Sequence, residues 1–94
     1  MKVRWTYEAE QDRDAIWSYI AANNPSAAGR IDALFTDAVA TLADFPLAGR
    51  TGRVPGTREL IPHESYRLVY EVMVDTVWVL AVVHNARQWP PARN

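Results

Sequence analysis

Hydrophobic and polar positions change period along this chain, and the changes mark its elements. Residues 3–7, VRWTY, alternate apolar or aromatic side chains with polar ones and predict a short first strand. From Glu8 to about Asn23 the period becomes helical, with Ala15, Ile16, Tyr19, Ile20 and Ala22 as its apolar stripe. Asn23, Asn24 and Pro25 stop that helix. A second helix is predicted from Pro25 or Ser26 to about Ala43, where Ala28, Ile31, Leu34, Phe35, Ala38, Val39 and Leu42 recur at spacings of three and four. So short a connection favours an antiparallel helix hairpin.

Phe45-Pro46 and the stretch 49–56, with three glycines and Pro55, predict a connecting loop. Three strands follow, over residues 57–61, 66–74 and 77–84, with Asp75 and Thr76 as the turn of a hairpin. That turn places Val74 opposite Val77, Met73 opposite Trp78 and Arg67 opposite His84. Leu68, Tyr70, Val72 and Val74 then meet Val83, Ala81, Val79 and Val77 on an apolar face that receives the helices. The opposite face carries Arg67, Glu71 and His84, flanked by Arg58 and Arg87. The expected fold is α+β, in the order β-α-α-β-β-β, with an antiparallel-type sheet and the helix hairpin on one face. A single domain over residues 1–94 accounts for the length, and residues 88–94 are expected to form an irregular tail.

Composition narrows the chemistry. The chain has 49% hydrophobic residues and no cysteine, so it packs a core without disulfides, thiolate zinc sites or a cysteine nucleophile. Acidic residues stand where a signal peptide would be apolar, and the longest apolar run, 77–83, is too short to span a bilayer. A cytoplasmic protein with no membrane association is expected. The net charge of −1 argues against a general nucleic-acid binder. It conceals a division: residues 1–45 hold four basic and seven acidic side chains, and residues 46–94 hold six arginines and four acids.

Between Gly49 and Pro90 every basic side chain is an arginine: Arg50, Arg53, Arg58, Arg67 and Arg87. Arginine's planar fork suits oriented contacts with phosphate or carboxylate, where lysine supplies a mobile point charge. Arginines converging on His84 would make a phosphate-binding or phosphodiester-cleaving surface, with His84 as acid or base. The competing reading pairs Arg67 with Glu71 or Glu59 on a solvated sheet and makes His84 a polar cap at a strand end. His63 and His84 have no metal-ligand spacing, so neither a metal nor a cofactor is expected. The glycines of GRTGRVPG lack the flanking strand and helix of a nucleotide loop and predict a shaped turn, with Arg50 and Arg53 anchoring it or binding a partner. Glu8, Glu10, Asp12 and Asp14 complement the helix dipole and are given no chemistry. Trp17 and Trp78 are expected at the core or its margin, and Trp89 as an anchor for a partner.

The segments AIWSYIAANNPSAAGRI, LADFPLAGRTGRVPGTREL, YRLVYEV and VVHNARQWP resemble the RelE/ParE superfamily of type II toxin–antitoxin toxins over nearly the whole chain. The resemblance implies a small cytoplasmic toxin neutralised by a cognate antitoxin that wraps the helix hairpin and sheet, with higher-order assembly of the pair. RelE-like members cut messenger RNA on the ribosome, and ParE-like members inhibit DNA gyrase. Arg58, Arg67 and Arg87 match basic positions of the RelE-like pattern, and with His84 would form its catalytic set. Leu60 replaces a lysine of that pattern, and Arg93 falls near the place of its tyrosine. Those departures, and the first-helix sequence, favour the gyrase-inhibiting branch, whose partner surface would include Arg50, Arg53, Arg67, Arg87 and Trp89. A non-toxic antitoxin-binding module is the remaining alternative.

Overall fold

The computed structural model describes residues 1–91. Its elements are β1 (Lys2–Trp5), α1 (Tyr7–Ala21), α2 (Pro25–Asp44), β2 (Arg50–Thr51), β3 (Thr57–His63), β4 (Tyr66–Met73) and β5 (Thr76–His84). The expected α+β order holds, with one addition: residues 50–51 form a short edge strand inside the segment read as loop. The sheet order is β1-β5-β4-β3-β2. β1 runs parallel to β5 while the other pairs are antiparallel, so the sheet is mixed.

Both helices start on side-chain caps. Thr6, which follows β1, accepts from the Ala9 amide, and Asn24 accepts from the Ala27 amide with Pro25 at the first helical position. In α1 the inward stripe is Ala9, Asp12, Arg13, Ile16 and Ile20; Ala15, Tyr19 and Ala22, expected inside, are exposed. Two charged residues lie on the inward face, which is why an apolar pattern misplaces it. Arg13 donates to both carboxylate oxygens of Asp32 in α2, at 2.6 and 2.8 Å, and its guanidinium lies 4.8 Å from the Trp5 ring centroid. Trp17 lies at the hairpin margin, 44% exposed, beside Gly29.

The core lies between the hairpin and one sheet face. Ala9, Val39, Leu42, Leu68, Tyr70, Val77 and Val79 form one cluster, and Phe35, Tyr66 and Val82 form a second, with Trp5 packed against both.

The β4–β5 hairpin corrects the expected register. Its turn is Val74-Asp75 with Met73 opposite Thr76, one residue earlier than the sequence suggests. Val74 holds φ 45°, a left-handed conformation unusual for a β-branched residue, and is fully exposed. Replacing Val74 with asparagine, which tolerates this conformation, is expected to stabilise the protein by about 1 kcal/mol, read as a higher urea midpoint. The turn moves partners by two and keeps faces. A bulge then flips them: Tyr70 pairs with Val79 but Val69 with Ala81, leaving Leu80 as the extra residue. Arg67 therefore faces Val83, and His84 faces Tyr66.

Candidate functional site

The sheet face away from the helices carries Arg4, Arg50, Glu59, Arg67, Glu71 and Trp78, by the register of β1 to β5. Glu59 is its hub. One carboxylate oxygen accepts from Arg50 at 3.2 Å and the other lies 3.5 Å from Arg67 Nε. Arg50 is 66% exposed, whereas the side chains of Glu59 and Arg67 are 11% and 12% exposed. Arg67 also donates to the carbonyls of His84, at 3.5 Å, and Arg87, at 2.7 Å. Arg50, Glu59, Ile61, Arg67 and Asn85 line a groove of about 490 Å³ on this face. Of the two carboxylates weighed as partners of Arg67, the pairing is with Glu59.

Arg58 is on the other side. It pairs with Tyr70, whose ring is in the core, and donates to the carbonyls of Gly49 at 2.8 Å and Leu47 at 3.4 Å. Tyr70 joins the same work: its hydroxyl accepts from the Gly49 amide at 2.9 Å and donates to the Pro46 carbonyl at 2.8 Å. A Cβ on Gly49 would lie 2.7 Å from both the Glu59 carbonyl and the Tyr70 hydroxyl, so only glycine lets the loop approach β3 and β4. Gly49→Ala is expected to cost about 1–3 kcal/mol through overpacking, plus any hydrogen bond it displaces, measured by urea unfolding. The glycine-rich stretch is thus the β2–β3 hairpin, closed by the Gly52 amide on the Thr57 carbonyl, with Arg53 exposed at its tip.

The expectation that Arg67 and His84 share a sheet face is overturned. The bulge sends His84 to the helix side, where its ring meets Tyr66 edge-on at 5.5 Å. Its Nδ1 accepts from the Ala86 amide at 3.1 Å, and His63 Nδ1 accepts from Ser65 at 3.0 Å. Each imidazole caps the turn that follows its strand, which requires an unprotonated Nδ1. Burial first, then the nearby Tyr19, raises the Tyr66 phenol above its ordinary range. Arg87 and Gln88 are exposed beyond β5 and Trp89 is half-buried. The structure thus gathers Arg50, Arg67 and the His84 and Arg87 backbone at one corner, and leaves the side chains of Arg58, His84 and Arg53 apart from it. Arg93 lies outside the described residues.

Asp12, given no chemistry from the sequence, accepts from the Val82 amide beside the bulge at 3.1 Å. Burial raises its pKa from 3.8, the Val82 hydrogen bond opposes this, and Glu8 adds to it. The folded state therefore holds this proton more tightly than the unfolded chain does. Asp12 favours folding most below pH 3.8, and that contribution is lost as pH rises through the raised value. Asp12→Asn keeps an acceptor and removes the titration. The unfolding free energy of the wild type, minus that of Asp12→Asn, is expected to grow from about pH 7 to about pH 4 in urea titrations.

Among the described residues no group of three or more His, Cys, Asp or Glu side chains could hold a metal ion, and no helix is long and apolar enough to cross a membrane. The corner offers arginine forks and a carboxylate, which suit binding to a polar macromolecular surface.

Comparisons with known proteins agree in kind. Residues 3–89 match the profile of the family described as ParE toxin of type II toxin-antitoxin system, parDE. The chain is 40% identical over 90 residues to Y4kP, a Sinorhizobium fredii protein named for a toxin, covering 95% of this chain and 93% of that one. It is 34% identical over 86 residues to Toxin RelE2 of Caulobacter vibrioides, covering 92% and 97%. A solved chain of the chromosomal ParDE system from P. aeruginosa superposes with a TM-score of 0.80 at 25% identity, over 89% of this chain and 95% of that one. The YoeB/ParE toxin from Agrobacterium tumefaciens shares the fold at a TM-score of 0.66 and 18% identity, over 90% and 99%. With the profile matched from β1 to beyond β5, this chain belongs to the ParE toxin family of type II toxin–antitoxin systems, within the RelE/ParE superfamily.

Proposed function

We propose that this toxin acts in the cytoplasm by binding and inhibiting DNA gyrase, and that a cognate antitoxin covers its arginine-bearing face until released. One observation carries the choice of a binding over a cleaving mechanism: the residues a nuclease would assemble are dispersed. Arg58 and His84 lie on the helix side, each engaged with the backbone, while Arg67 is on the outer face and anchored to Glu59 and two carbonyls. An acid–base pair and a charge-stabilising arginine must meet at one reacting atom. Exposed arginines beside an aromatic residue suit a protein surface instead.

The test sets two assays side by side with purified protein: gyrase supercoiling with trapped cleavage complexes, and cleavage of ribosome-bound messenger. Loss of supercoiling with intact messenger is the expected result. Cut messenger with unimpeded gyrase would replace this reading by the RelE-like one.

A further inference from the structure

We propose that Arg67 is a positioning residue: its hydrogen bonds to the His84 and Arg87 carbonyls hold the segment after β5 in the form in which Arg87 and Trp89 meet the target. The identity of that target rests on the gyrase reading; the fastening does not.

The segment is tied at several points. The Arg87 amide donates to the His84 carbonyl, Asn85 donates to the Ser65 carbonyl through its amide and to the Glu64 carbonyl through its side chain, and Ala86 donates to the His84 ring. These bonds fix residues 84–86 against the β3–β4 turn. The Arg67 fork reaches further along, and its 2.7 Å bond to the Arg87 carbonyl is, among the described residues, the fastening nearest the chain's end. Glu59 aims the fork from the opposite side at 3.5 Å from Nε. With 12% of its side chain exposed, Arg67 is poorly placed to meet a large partner itself. Arg50, whose side chain is 66% exposed, shares Glu59 and has no such restriction. Lysine could keep one of these contacts but lacks the planar fork that joins a carboxylate on one edge to two carbonyls on the other.

The experiment compares full-length wild type, Arg67→Ala, Arg67→Lys and Glu59→Gln. Backbone amide exchange is followed across residues 85–87 and across β4, alongside viable counts after induction and inhibition of gyrase. Arg67→Ala is expected to speed exchange at the hydrogen-bonded amides of residues 85–87 about tenfold, the equivalent of one lost hydrogen bond, while β4 stays protected. Toxicity should fall in parallel, and Arg67→Lys should lie between alanine and wild type in both readouts. Glu59→Gln should loosen the segment less than Arg67→Ala. Unchanged exchange in Arg67→Ala overturns the proposal, as does faster exchange with undiminished toxicity. If Arg67→Ala does not fold, the ordering of Arg67→Lys below wild type carries the test, and equality of the two overturns it. A wild type that arrests growth without touching gyrase defeats the gyrase reading alone, because exchange and viable counts need no assumption about the target.

Discussion

Truncating Phe35 to alanine is expected to lower the free energy of unfolding by about 3–5 kcal/mol, the usual cost of emptying a large aromatic site. Phe35 is 1% exposed and stands edge-on to Tyr66, with ring centroids 5.8 Å apart. It forms a cluster with Tyr66 and with Val82 of β5, against which the partly buried Trp5, Ile16, Ile20 and Ile31 pack. Its removal therefore opens a cavity at the junction of both helices with the sheet, and no flexible side chain among these neighbours can fill it. A domain of this size has about 5–15 kcal/mol in total, so the variant should sit close to its unfolding threshold at ordinary temperature. The comparison that makes the number informative is Leu34→Ala. Leu34 belongs to the same apolar pattern but is 39% exposed, and its truncation should stay within about 1 kcal/mol. Urea titrations of both variants check the pair. Equal losses would mean that α2 presents a different face to the sheet.

The same contrast shows how far the sequence reaches. The helix–helix junction was legible because its signals are local, Asn23 and Asn24 interrupting α1 and Pro25 opening α2. The start of α1 lies earlier than the sequence suggests, since its cap Thr6 and first residue Tyr7 continue the alternation that predicts the first strand. α2 was legible in its inward face because its buried positions, Ala28, Phe35, Val39 and Leu42, are all apolar. α1 was not, since Asp12 and Arg13 occupy inward positions and are satisfied only by partners in α2 and β5. Those partners are distant in sequence, and no local period reveals them.

The site fared similarly. That arginines gather near the end of the sheet, and that Arg67 has a carboxylate partner, was readable from alternation and charge. Which residues share a face was not, because one bulged residue reverses the parity of every position after it. Leu80 has no composition cue for a bulge; the Thr6 hydroxyl donates to its carbonyl at 3.4 Å, and Asp12 takes the Val82 amide. The turn was hidden for a related reason, as Val74 is a poor candidate for left-handed backbone. Glu59 looked like an ordinary strand carboxylate, and only its register with Arg50 and its approach to Arg67 make it the hub of the groove.

The corner these residues build leads to the functional result expected to be largest: replacing both Arg87 and Trp89 with alanine should remove growth arrest while the fold survives. Neither side chain belongs to the core clusters, Arg87 is exposed and Trp89 is half-buried beyond β5. Arg67 is fastened to the Arg87 carbonyl and not to its side chain, so alanine at position 87 leaves that hydrogen bond in place. Stability should therefore change by about 1–2 kcal/mol at most, nearly all of it from the half-buried Trp89. Arginine and tryptophan are the side chains most often found at the energetic centre of an interface, and truncating one there costs about 2 kcal/mol, or roughly 30-fold in affinity. Two such losses exceed what a toxin produced at modest level can absorb. Arg53→Ala, at the tip of the β2–β3 hairpin, serves as the control that keeps full activity if the target meets only the corner. Viable counts after induction, read beside unfolding midpoints, separate these cases: arrest that persists in the folded double variant would place the target surface elsewhere, and arrest lost in Arg53→Ala as well would extend it along the sheet edge.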